Sequence, residues 1–218
     1  MRHTAAEGKM GHVIYDLAHE QAALLVIDVQ KEYFKPGGPA EVESAPAILP
    51  NINRLIDGFR AAGRPVVFVR HANRADGTDA GRMGDFSAED EEDSFVEGSD
   101  EVEFDPGLHY VDGDLVVSKR RYSAFAGTEL EAVLRTAGVR SIVIAGLMTS
   151  FCCESTARDG HARDYEVIFV SDANEGPDLE APDGTAVDHQ QVLMSTIVAL
   201  SSGFAEVVPT EEVLKRLA

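Results

Sequence analysis

The sequence predicts a three-layer α/β protein, a six-stranded and mostly parallel sheet with helices on both faces. Two patterns carry this expectation. Short, continuous apolar runs rich in branched residues recur along the chain, as strands buried on both faces require. Segments with helical spacing separate them from the first run to the last, which is the alternation of a parallel sheet with crossover helices. A third observation bears on organisation: there is no internal repeat and no interdomain linker. Residues 1–218 therefore read as a single domain, with 1–21 as an N-terminal arm carrying a short amphipathic patch, "VIYDLAH".

The first strand is "AALLVIDV" at 22–29, and "KEYFKPGGP" follows it as a loop. In the segment at 44–63, Ile48, Ile52, Leu55, Ile56 and Phe59 keep helical spacing, with Gly63 as the stop. "PVVFVRH" (65–71) is the second strand, and residues 72–113 read as loop. Within that loop, 77–105 is an acidic variable segment that includes "EDEEDS". It reads as a solvated or salt-adapted face, with a specificity lid as the sharper alternative. "DLVVSK" (114–119) is the third strand, and 127–138 is a helix ending at Gly138. "SIVIAG" (141–146) is the fourth strand, followed by a helix from about Phe151 to Arg163. "EVIFVSDA" (166–173) is the fifth. A long helix within 185–204, a short strand at 205–208 and a closing helix capped by Thr210 complete the chain.

Composition narrows the function. The net charge is −19, from 38 acidic against 19 basic residues, of which 14 are Arg and 5 Lys. Such a surface repels nucleic acid and anionic membranes. It also repels itself unless salt screens it, which points to a salt-loving host, with an acidic mesophilic protein as the alternative. No apolar run approaches the roughly 18 residues of a membrane span. The first residues lack the apolar core of a signal peptide. Two adjacent cysteines make no disulfide framework and a poor pair, so the expected setting is reduced and cytoplasmic. "GxGxxG" and the P-loop pattern are absent, and no clustered metal-ligand spacing is present, so neither cofactor nor metal is expected.

In an open parallel sheet, ligands bind at the carboxyl ends of the strands. Asp28 ends the first predicted strand, Lys119 the third, and Cys152 follows the fourth. An acid, a base and a thiol thus converge on one crevice, whereas charges at the ends of buried strands are costly unless paired or working. Cysteine attacks as thiolate, so its pKa is expected to fall, helped by a helix N-terminus that Thr149 or Ser150 would cap, and by a nearby ammonium. Cys153 sits about 100° further round the helix. It shares a stripe with Ala157 and Gly160, and reads as a small packed hydrophobe. From the residues alone, each candidate keeps a plain alternative: Cys152 as a buried thiol, Asp28 as a loop cap, Lys119 as a snorkelling lysine.

The blocks "ALLVIDVQ", "VVSKRRYSAFAGTELEAVLR" and "GLMTSFCCESTARDGHARDYEVIFVSDA", in this order and spacing, resemble the isochorismatase-like cysteine hydrolases from about Ala22 to Phe204. The resemblance implies an isochorismatase-like fold and a catalytic triad of Cys152, Asp28 and Lys119. It also implies an oxyanion hole from the N–H groups of Met148 and Cys152, a cis peptide at Leu147–Met148, and supporting roles for Gln30 and Thr149. Substrate-pocket candidates follow from position: Tyr33, Phe34, His71, Tyr122, Phe125 and Phe151, each with core packing as the alternative. The implied reaction is hydrolysis of a small carboxamide or ureido/carbamoyl amide, in a homodimer or larger homo-oligomer. "RYSAFAGTEL" is closest to the ureidoacrylate and carbamoyl-amide branch. The segment "RHANRADGTDAGR" lacks the Asp-x-His spacing of nicotinamidases, and a cysteine nucleophile argues against a vinyl-ether (isochorismatase-type) hydrolase. A non-catalytic binder and a dithiol redox protein are the readings from other classes. The intact triad opposes the first, and the strain of a vicinal disulfide the second.

Overall fold

The apolar run after Gln21 becomes β1, Ala22–Ile27, whose six residues are all buried. A strand this apolar can only sit inside a sheet covered on both faces. The computed structural model describes residues 14–17, 21–86 and 94–217. Within them β1 is flanked by β2 (Val66–His71) and β4 (Ser141–Leu147). β3 (Leu115–Lys119) pairs with β2, β5 (Glu166–Glu175) with β4, and β8 (Glu206–Val208) with β5. The order is β3-β2-β1-β4-β5-β8 and every pairing is parallel. β6 (Leu179–Glu180) and β7 (Ala186–Val187) form a separate antiparallel hairpin.

The helices cover the two faces. α2 (Ala45–Ala61) and α6 (Thr210–Leu217) lie over one face, where Leu24, Val26, Ile52, Phe59 and Val213 share a core. The opposite core joins Leu25 and Ile27 to Leu130 and Leu134 of α3 (Leu130–Thr136), Ala157 of α4 (Glu154–Ala162) and Leu200 of α5 (His189–Ser201). Alternate β1 side chains therefore serve opposite cores, as the period of two demands. Gly146 of β4 has φ +133° and faces Ile27 of β1, and a Cβ there would overlap the Ile27 carbonyl. Only glycine allows that approach.

Two expectations are corrected, and two features go beyond the sequence reading. "KEYF" is not loop but a single turn, α1 (Lys31–Phe34). The hairpin β6–β7 has no counterpart in the sequence reading, because its strands are two residues long. Thr210 is not the cap of α6: Asp172 accepts both its N–H (2.7 Å) and its hydroxyl (2.8 Å). The long loop after β2 is knitted down by isolated bridges, Asn73 to Val96 and Gln30 to Phe104. Most of the "EDEEDS" run lies outside the described residues. In the arm, Leu17 is fully buried and Tyr15 N–H donates to Glu206 Oε2 at 2.8 Å.

Candidate active site

The strand order reverses between β1 and β4, and the crevice at such a switch point is where an open α/β sheet binds ligands. Asp28 is the first residue beyond β1. Its φ of 51° is left-handed, a conformation that Asp tolerates better than most residues. Its N–H donates to Val69 O (2.9 Å), and its own carbonyl accepts from Gln30 N–H (2.9 Å). Lys119 is the last residue of β3, in register with His71 of β2. Cys152 belongs to a π-type turn, Thr149–Cys153, that joins β4 to α4. In this wide turn the N–H groups of Phe151 (3.1 Å) and Cys153 (3.2 Å) both donate to Met148 O. The Leu147–Met148 peptide bond is cis, as the resemblance implies.

Three chain segments thus bring three side chains together. Lys119 Nζ lies 2.7 Å from Asp28 Oδ2 and donates to Cys152 Sγ at 3.1 Å. Asp28 and Lys119 are wholly buried, and Cys152 is 1% exposed. Cys153 is fully buried with Ala157 on α4, the stripe expected from the sequence. At Gly160 a Cβ would crowd Ile142.

Burial dominates the electrostatics. It pushes the Cys152 thiol up to about 12, against the pull of the Lys119 charge. The expected low thiol pKa is therefore corrected: removing a thiolate from water outweighs one nearby ammonium. Burial also raises Asp28, again opposed by Lys119. Burial alone would lower Lys119, but the charges of Asp28 and Cys152 outweigh it and hold it above its ordinary value. At neutral pH the Cys152 thiol is therefore protonated, beside the buried Asp28–Lys119 pair. The expected side-chain cap is absent too. The N-cap position of the turn is Met148, and the hydroxyls of Thr149 and Ser150 have no hydrogen-bond partner among the described residues.

The remaining predicted residues divide. His71 and Tyr33 flank the cluster. Burial, then the Lys119 charge, lowers the His71 pKa to about 3, so the ring is neutral. Burial raises the Tyr33 phenol, with the charges of Cys152 and Asp28 adding to it. Tyr122 and Phe151 pair at 5.5 Å between ring centroids, after β3 and β4 respectively. Thr149 is buried one turn before Cys152 with its hydroxyl open. Gln30 serves the protein instead. Its amide donates to His71 O (2.9 Å) and Val102 O (2.9 Å) and accepts from His71 N–H (2.8 Å). It positions the ends of β1 and β2 and has little left for a ligand. Phe125 is core: its ring stacks on Tyr165 at 5.7 Å, and the Arg163 guanidinium lies 5.1 Å away. Phe34 packs on the α2 side.

Sequence reasoning missed Phe95, whose ring stacks on His71 at 5.1 Å. The signal was present only as one of three phenylalanines inside the acidic segment. Among the described residues, Asp178, Asp188 and His189 lie close enough to share a metal ion. Each already has a structural partner: Asp178 accepts His189 N–H, Asp188 caps α5 at Gln190, and His189 Nδ1 meets Glu175. Two surface grooves, of about 570 and 410 Å³, lie elsewhere, one against Tyr15 and Phe204 and the other against Leu49 and His109.

Comparison with known proteins identifies the family. The isochorismatase domain model matches residues 22–212. Nicotinamidase 3 of Arabidopsis thaliana is 33% identical over 198 residues, 90% of this chain and 88% of that protein. The ureidoacrylate amidohydrolase RutB of Azorhizobium caulinodans is 28% identical over 217 residues, 90% and 96% respectively. The crystal structure of a cysteine hydrolase from Pseudomonas syringae pv. phaseolicola superposes with a TM-score of 0.91 at 34% identity, covering 96% of this chain and 98% of that one. The fold and these matches agree, and the chain belongs to the isochorismatase domain family as one of its hydrolases.

Proposed function

We propose that this protein is a cysteine amidohydrolase that cleaves the C–N bond of a small carboxamide or ureido/carbamoyl substrate. The observation that carries the reading is Lys119 Nζ, buried between Asp28 Oδ2 at 2.7 Å and Cys152 Sγ at 3.1 Å. Asp28 takes the Cys152 proton as the sulfur attacks the carbonyl carbon, so the thiolate forms on demand. Lys119 offsets the negative charge, and the N–H groups of Met148 and Cys152 hold the oxyanion. Protonated Asp28 then returns its proton to the leaving nitrogen, and ammonia or an amine departs. Water, deprotonated by Asp28, hydrolyses the thioester, releasing the acid and restoring the thiol. Thr149, His71, Tyr33, Tyr122 and Phe151 surround the bound acyl group.

Ammonia release from a panel of ureido acids, carbamoyl amides and carboxamides tests the proposal, with Cys152→Ala beside Cys153→Ala. Loss of Cys152 lowers kcat by at least about a thousandfold, while Cys153→Ala retains activity. The reverse pattern, or no ammonia from any amide, overturns the proposal. Nicotinamide belongs in the panel because of the similarity to Nicotinamidase 3.

The proposal extends to setting. Residues 1–218 act as one hydrolase domain, with 77–105 as its variable segment. Two unpaired buried cysteines suit a reducing, cytoplasmic environment. Met194 and Val198, 59% and 56% exposed on α5, support self-association as a homodimer or larger assembly. The charge of −19 supports adaptation to salt.

A further inference from the structure

Phe95 comes from the acidic variable segment, far in sequence from the triad, yet it packs against the site. Its ring centroid lies 5.2 Å from Tyr33 and 5.1 Å from His71, the latter nearly stacked at 26°. These are the two rings that flank Asp28 and Lys119. The Phe95 backbone has φ 64°, which aromatic residues rarely adopt. The segment holds it there from both sides. Asn73 N–H donates to Phe95 O (2.7 Å), and Glu97 N–H donates to Asn73 O (2.7 Å). Ser94 Oγ donates to Glu32 Oε1 at 3.0 Å. Further along, Lys31 N–H donates to Glu103 O (2.9 Å), Asp105 N–H to Val29 O (3.0 Å), and Gln30 Nε2 to Val102 O (2.9 Å). Acidic residues of the segment pair with cations from three sides: Asp100 with Lys31, Glu103 with Arg70, and Glu97 with Arg120. Residues 94–105 thus lie against the residues that follow β1 and β2, and Phe95 is the side chain they set beside Tyr33 and His71.

We propose that Phe95 is a specificity-determining residue, the part of the segment that roofs Tyr33 and His71 and limits the bulk of the acyl group reaching Cys152. Compact acyl amides fit beneath the ring, and amides carrying branched or aryl groups on that side are excluded. A hydrophobic wall discriminates by size, each added or removed group changing rates by roughly tenfold or more. The inference rests on Cys152 as the reacting thiol, and its test is independent of amide turnover.

The experiment measures alkylation of Cys152 by iodoacetamide and by the bulkier N-phenylmaleimide, followed by intact mass. A Cys153→Ala background leaves a single thiol. Both reagents need the same thiolate, so the ratio of their rates cancels its acidity. Phe95→Gly removes the ring and suits the positive φ, and Phe95→Leu keeps an apolar side chain without the ring. The expected result is a bulky-to-small rate ratio raised about tenfold in Phe95→Gly and less in Phe95→Leu. In the amide panel, preference shifts toward branched acyl groups through KM rather than kcat. An unchanged ratio in either folded variant, verified by its thermal midpoint, overturns the proposal, as does equal acceleration of both reagents. A raised ratio with no ammonia from any amide keeps the roof and removes the amidase reading.

Discussion

Asp28 and Lys119 depend on each other because neither charge has water. Asp28→Asn keeps the shape, removes the base and leaves a buried ammonium without its counter-charge. The expected result is a fall in kcat of about a hundredfold to ten-thousandfold, with a stability loss of about 3–5 kcal/mol, read by assay and by urea denaturation. The pH profile should report the same cluster. With the thiol pushed up to about 12, no preformed thiolate exists near neutrality, and activity tracks ionisation of Asp28. The acid limb of kcat/KM should therefore lie above the ordinary carboxylate range, since burial raises Asp28. An activity that instead rises in step with an ordinary thiol titration would contradict the on-demand mechanism. His71 supplies a separate signal in stability. Its folded pKa is about 3, below the ordinary 6.5, so between these values the unfolded chain binds a proton that the native state refuses. Stability from this group is complete above about pH 6.5 and is lost as pH falls toward 3. His71→Gln should flatten that part of a denaturation-versus-pH series.

At the scale of elements, close approach of β1 to β4 sets the distance between Asp28 and the cysteine turn. Gly146→Ala places a Cβ against the Ile27 carbonyl in a positive-φ conformation. The expected cost is about 3 kcal/mol, from overlap and backbone strain together. Gly138 also has positive φ, at +67°, but with open space around it. Gly138→Ala should cost only about 1 kcal/mol. Urea denaturation of the two variants separates crowding from conformation, and equal losses would show that the β1–β4 approach is not tight. Activity should fall only for Gly146→Ala.

Across the whole molecule, the charge of −19 opposes compaction. Screening acts within the first few tenths molar of salt, where the Debye length drops below about 10 Å. The melting temperature should rise with KCl over that range, measured by calorimetry. A further rise beyond 1 M would support adaptation to salt, and a flat response would count against self-repulsion as a significant cost. The ion pairs of residues 94–105 add an opposing effect, because pairs such as Lys31 to Asp100 reach solvent and weaken with salt.

The alternation of buried strands with helices was legible in the sequence, because a strand covered on both faces has to be written as an unbroken apolar run. That alone located Asp28 just past β1, Lys119 at the end of β3 and Cys152 in the segment after β4. Helical periodicity pointed Cys153 to the packed stripe with Ala157; in the structure both cysteines lie in the π-type turn before α4 and both join that core. Only the tertiary structure decided what depends on partners distant in the chain. Gln30 spends its amide on His71 and Val102, 41 and 72 residues away, and no local pattern announces such bonds. Phe125 turns to the core and Phe95 to the site, although as residues they look alike. The state of the thiol was hidden for the same reason. A helix start and a lysine suggest a low pKa, but dehydration by surrounding segments raises it, and dehydration is a property of the assembled fold rather than of any stretch of sequence.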